Sequence, residues 1–254
     1  MEKEVVLKLE NVSKSFTIRD SSKDPISFHI RNLIDPGKKR VIRAVKNVSL
    51  EIYKGEFIGI VGANGSGKST LLHLMSGVYL PDKGGKVIRN GSYIRLSLGL
   101  GFNGELTMRE NIYLNASIMG LTFKQIGRNF HKMVEFAELE DFIDTKIKYF
   151  SRGMKSRLAF AIAIHAEAEI FLMDEFFGGV GDEKFREKSD KVFKDAFISG
   201  RTIIHVSHNM GTIKEYADRV FLMHKGECIA TGTPDEVLDT YRNVIKVKKF
   251  NIDD

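Results

Sequence analysis

Apolar residues along the chain alternate between two arrangements. In one they form short unbroken runs: Phe57-Ile58-Gly59-Ile60-Val61, Ile170-Phe171-Leu172-Met173 and Thr202-Ile203-Ile204-His205-Val206. In the other, from about Thr107 to His165, they recur at helical spacing, with Glu110 to Met119 and Thr122 to Glu138 the longest stretches. Unbroken runs of this length, alternating with helices, predict a parallel sheet covered on both faces. Val5 to Glu10 reads as a strand, followed by a turn and Ser15-Phe16-Thr17, and Val48 to Ile52 reads as another. Val220 to Met223 and Glu227 to Ala230, joined through Lys225-Gly226, predict a hairpin. No internal repeat or low-complexity segment is present, so the fold class is α/β with a mostly helical insertion.

Residues 19–43 interrupt this pattern. Two breaker clusters, Asp20 to Pro25 and Asp35-Pro36-Gly37, flank Ile26, Ile30, Leu33 and Ile34, which share one face of a helix. The segment carries seven Lys/Arg against three Asp, and residues 242–254 carry four against two, while the rest of the chain is balanced. This places the net charge of +6 in two patches, suited either to an anionic surface (nucleic acid or a membrane leaflet) or to plain solvation. At 254 residues, with 43% hydrophobic and 28% charged, the chain is long enough for one large domain or two modest ones and is not disordered. A single cysteine, Cys228, excludes an internal disulfide. The N-terminus lacks a signal-peptide core, and no run of about 18 apolar residues occurs. The expectation is a cytosolic protein.

The sharpest motif is GANGSGKS at 62–69, which fits G-x-x-x-x-G-K-S/T between an apolar strand and the helical Thr70 to Met75. Gly62, Gly65 and Gly67 let the backbone curl so that its N–H groups, with those of Asn64, Ser66 and Thr70, face phosphates at a helix start. Lys68 then reaches the β- and γ-phosphates, and the Ser69 hydroxyl is placed to coordinate Mg²⁺. Downstream, the apolar run 170–173 ends in Asp174-Glu175. An acid at a strand's C-terminal edge lies beside such a loop, so Asp174 is a candidate Mg²⁺ residue and Glu175 a candidate to orient or deprotonate water.

Between these motifs the chain reads Tyr149-Phe150-Ser151-Arg152-Gly153-Met154, and after the next strand Ser207-His208-Asn209. In this order the chain resembles the ABC ATPases, whose signature is LSGGQ; only Ser151 and Gly153 of that signature are kept here. The resemblance implies an ATPase with a P-loop NTPase core, a mostly parallel sheet, an N-terminal antiparallel β part and a helical subdomain. It further implies that ATP and Mg²⁺ are the cofactors and that His208 contacts the γ-phosphate. Ser151 and Gly153 would hold the γ-phosphate bound to a second copy, in a head-to-tail homodimer. Phe16 matches the residue that stacks on adenine, its alternative being a core role. One nucleotide-binding domain, 1–254, is expected: a core lobe from 5–102 and 166–240 interrupted by the 19–43 insertion, a helical subdomain at 103–165 and a basic tail at 241–254.

The signature form Tyr-Phe-Ser-x-Gly-Met is similar to that of ATP-binding subunits of bacterial exporters for O-antigen, capsule and teichoic acid. So are Leu98 to Phe102, Leu106-Thr107, Arg109 to Asn115 and Val180-Gly181-Asp182. This implies a peripheral protein on the cytoplasmic face of the bacterial inner membrane, partnered by a transmembrane permease and acting on a lipid-linked glycan, with no nucleic-acid partner. In this subfamily the early amphipathic segment lies near the membrane, which assigns Lys38, Lys39, Arg40 and Arg43 to an anionic interface; packing of that helix on its own domain is the alternative. Three departures from the family pattern stand out. No glutamine lies near Ser97 and Leu98, Arg152 replaces a small residue, and Phe176 to Gly179 looks one residue long, which leaves the dimer-contact role of Asp182 open. The chain ends soon after Val237, so no separate glycan-reading domain is expected. Other cargoes (drug, peptide or nutrient) and a nucleic-acid-acting ATPase are the competing readings. Only 83 residues separate Lys68 from Ser151, too few for the coiled-coil insertion common in the latter.

Overall fold

The computed structural model describes residues 3–19, 39–96, 101–165, 168–174, 183–192, 194 and 200–250. Its centre is a six-stranded sheet built from β3 (Phe57–Val61), β5 (Tyr93–Leu96), β6 (Ile170–Asp174), β7 (Thr202–Val206), β8 (Arg219–His224) and β9 (Glu227–Gly232). The strand order is β5-β6-β7-β3-β8-β9, parallel except for β9, which closes the hairpin on β8. A three-stranded antiparallel sheet, β2-β1-β4, is made by β1 (Val5–Arg19), β2 (Lys39–Tyr53) and β4 (Lys86–Arg89).

Burial on both faces explains the unbroken apolar runs. Phe57 and Val61 of β3, Phe171 and Met173 of β6, and Val220 and Leu222 of β8 enter one core cluster. Their neighbours Ile58 and Ile60, Ile170 and Leu172, and Phe221 and Met223 enter another. The period of two thus sorts side chains between two cores rather than between core and water.

The second cluster is closed by Leu71, Leu72, Leu74 and Met75 of α1 (Lys68–Met75) and by β1 and β2. The first is closed by α2 (Met108–Ile118), α3 (Phe123–Ala137), α4 (Arg152–Ala163) and Phe185 of α5 (Glu183–Val192), with Ile213 of α6 (Met210–Tyr216) and Val237 of α7 (Pro234–Phe250). Thr107 and Thr122 each form a complete capping box, with Glu110 and Gln125, and so fix where α2 and α3 begin. The mixed α/β fold with its helical portion is as expected. No described helix is long and apolar enough to cross a membrane.

Three details differ from the sequence reading. The polar stretch after Glu10 is not a turn, because β1 runs unbroken to Arg19 and pairs with β2 as far as Lys39. Its polar residues sit at bulges instead. Asn11 and Asn47 adopt left-handed backbone conformations, and their N–H groups donate to Ser49 Oγ and Ser13 Oγ, each at 2.9 Å. Strands β4 and β5 carried no sequence signal. Helix α7 is continuous across 241, where the sequence places the start of the basic tail. The Ile26 to Ile34 stripe lies outside the described residues, as do Ser97, Leu98, Glu175, Phe176 to Gly179 and Asp182.

Candidate functional site

The loop 62–67 leaves the C-terminal end of β3 at the centre of the sheet and opens α1. Close approach of neighbouring backbone demands its glycines. A Cβ on Gly62, at φ 150°, would run into the Met223 carbonyl, and one on Gly67, at φ 106°, into the Ala44 carbonyl. The β8–β9 turn braces the loop from outside: Gly226 N donates to Ser66 O at 2.9 Å, and Lys46 N donates to Gly226 O at 2.8 Å.

Helix α1 begins without protection. Gly67 is its N-cap, no side chain caps the first turn, and no acid sits there. Its leading N–H groups and positive dipole end are therefore directed at whatever binds in front of them, which favours an anion. Lys68, only 5% exposed, folds back so that Nζ donates to the Gly62 carbonyl at 2.8 Å and the Ala63 carbonyl at 3.1 Å. Ser66 Oγ is buried with no hydrogen-bond partner among the described residues.

In front of the loop lies a cleft of about 480 Å³, within the range of small-molecule sites. Phe16, Ile42, Arg43, Ala44, Asn64 to Thr70 and His208 line it. Phe16 sits opposite Ile42 in the β1–β2 ribbon and is only half-buried. Its ring meets Tyr79 edge-on with centroids 5.3 Å apart, and Lys14 Nζ lies 5.7 Å from its centre. Phe16 belongs to neither core cluster. His208 follows β7 and is exposed to the cleft. Ser207 Oγ accepts from Asn209 N at 3.0 Å, and Asn209 caps α6 by accepting from Gly211 N and Thr212 N.

The remaining candidates lie elsewhere. Asp174 ends β6, and its Oδ2 is 3.5 Å from Nη2 of Arg95 on β5. Glu175, next in the chain, is outside the described residues. Ser151 is the N-cap of α4, its Oγ accepting from Met154 N at 3.1 Å. Neither Ser151 nor Gly153 lines the cleft. Nothing among the described residues calls for glycine at 153: a Cβ there would meet only Ser151 Oγ, at an ordinary 3.8 Å. Arg152 is exposed. Sequence reasoning missed Tyr79, Lys14 and Arg95.

The arrangement is a phosphate cradle with an aromatic wall at one end and an imidazole lining it. A family model described as ABC transporter matches residues 45–178, which include the loop, the α4 start and Asp174. The chain belongs to the ABC transporter family. It is 37% identical over 248 residues to the teichoic acids export ATP-binding protein TagH of Listeria monocytogenes serotype 4b (strain F2365), covering 97% of this chain and 72% of that protein. To the O-antigen export system ATP-binding protein RfbB of Klebsiella pneumoniae it is 35% identical over 246 residues, covering 95% of this chain and 99% of that one. Among solved structures, the ATP-binding subunit of an ABC transporter superposes with a TM-score of 0.71 at 20% identity, covering 93% of each chain. As an ABC cassette the chain is an ATPase that binds ATP.

Proposed function

We propose that this cassette hydrolyses ATP to drive a lipid-linked polysaccharide of teichoic acid or O-antigen type across the cytoplasmic membrane. It would act from the cytoplasmic face, beside a separate transmembrane permease. The observation that carries the cargo is the extent of the likeness: it spans 95–97% of the chain, far beyond the 45–178 segment of the general family.

The geometry supports a division of labour. Phosphates would sit on the loop amides and the start of α1, with Lys68 Nζ exchanging the Gly62 and Ala63 carbonyls for β- and γ-phosphate oxygens. Phe16 would back the adenine, while His208 would face the γ-phosphate and Glu175 would orient or deprotonate the attacking water. Ser69 and Asp174 offer the hard oxygen donors that Mg²⁺ takes, one hydroxyl in the cradle and one half-buried carboxylate. When bound, Mg²⁺ supplies neutralisation of the charge on the transferring phosphoryl group.

Ser151 and Gly153 would serve the cleft of a second copy. Ser151 Oγ already accepts a hydrogen bond, so its own proton remains to be donated to a γ-phosphate oxygen across the interface. An unrequired glycine at 153 leaves room for that close approach.

Deletion of the gene, with tracking of the surface glycan and the cytoplasmic lipid-linked glycan, tests this reading. Glycan should accumulate inside, vanish outside, and return with the wild type but not with Lys68→Ala. Unchanged pools would reject the cargo assignment.

A further inference from the structure

Arg95 is the one charged side chain in β5, between Ile94 at 8% and Leu96 at 0% exposure, and its guanidinium reaches Asp174 at the end of β6. Parallel pairing sets it opposite Leu172, two residues before Asp174 on β6. Nη2 comes within 3.5 Å of Asp174 Oδ2, and the two side chains are 27% and 20% exposed, so solvent screens the pair only partly. Its form is unlike a stabilising bridge. The contact is single and long rather than the paired fork an arginine makes with a carboxylate, and Arg95 Nε is buried with no hydrogen-bond partner among the described residues. A buried donor left unmade costs stability, so the fold alone gives this arginine little reason to be there.

A third group reports the same convergence. His73 lies on α1, the helix that carries Lys68 and Ser69. Burial and then the Arg95 charge hold its pKa below the usual histidine range, and Asp174 pushes back. The charges of Arg95 and Asp174 are thus both felt at His73, on the helix that follows the phosphate loop.

Resting on the proposed ATP and Mg²⁺ site, we infer that Arg95 is a positioning residue that sets the site's affinity for the divalent cation. Its guanidinium occupies Asp174 Oδ2, leaves Oδ1 for the cation or its water, and repels the cation as a fixed charge.

Titration of the ADP-loaded protein with Mn²⁺, read by its paramagnetic resonance signal, tests this without any turnover. Arg95→Met and Arg95→Gln should each bind Mn²⁺ about tenfold more tightly than wild type, Arg95→Lys within about threefold of it. ADP affinity in EDTA should stay unchanged in all three. Equal or weaker Mn²⁺ binding in both neutral variants would overturn the inference, as would the same gain in Arg95→Lys. If wild-type Mn²⁺ binding needed no nucleotide, or survived Asp174→Asn, the site reading itself would fall and the inference with it.

Discussion

The carbonyl of Ala44, in the long β1–β2 ribbon, lies so close to Gly67 that no side chain fits between them. The ribbon and the phosphate loop are therefore one rigid piece, and Phe16 on the ribbon is held in register with the cradle. Gly67→Ala meets both this collision and the left-handed conformation at φ 106°. It should lower stability by at least about 2 kcal/mol in urea unfolding and abolish nucleotide binding in calorimetry.

Gly153→Ala should behave in the opposite way. The position is helical with open space around it, so alanine should leave stability equal or raise it by up to about 1 kcal/mol. ATP hydrolysis should nonetheless fall at least tenfold, because in the proposed sandwich the added methyl would stand where a second copy's phosphate approaches. Full activity at full stability would show that the glycine is incidental.

Ser151→Ala removes the N-cap of α4 and should cost about 1 kcal/mol. Ser151→Asp keeps a capping oxygen but brings a negative charge to the phosphate. It should restore the melting temperature of the alanine variant without restoring hydrolysis.

Acid should destabilise the cassette through its histidines. His205, buried in β7, has its pKa driven down from 6.5 to about 3 by burial, and burial also lowers His165 and His73. Between about pH 3 and 6.5 the unfolded chain binds more protons than the folded one, so this contribution to stability is complete above pH 6.5 and falls as pH falls. From pH 7.5 to 5.5 His205 alone should cost about 1 kcal/mol. His205→Gln should flatten the pH dependence of the urea midpoint by that amount; an unchanged slope would contradict it.

What the sequence revealed follows from burial. Strands β3, β6 and β7 were legible because both faces are covered, which leaves unbroken apolar runs that polar loops delimit. Strands β4 and β5 are four residues each, and β4 has no buried residue, so their pattern resembles a loop. The continuity of β1 was hidden because Asn11 and Ser13, ordinary turn residues, serve bulges through bonds to β2 that sequence alone does not display. The phosphate loop was legible because its glycines, lysine and serine fall at fixed spacing in one contiguous stretch between a strand and a helix. Tyr79 and Arg95 were not, because their roles depend on which distant elements fold beside them.

The central claim is that each complete site takes its cradle from one copy and Ser151 and Gly153 from another. Light scattering of Glu175→Gln with ATP tests it most directly, since slowed hydrolysis would preserve the sandwich. The mass should double from 28.7 kDa on adding ATP, and return to that value in the Glu175→Gln/Ser151→Asp double variant. A protein that binds ATP yet stays at 28.7 kDa would contradict the account.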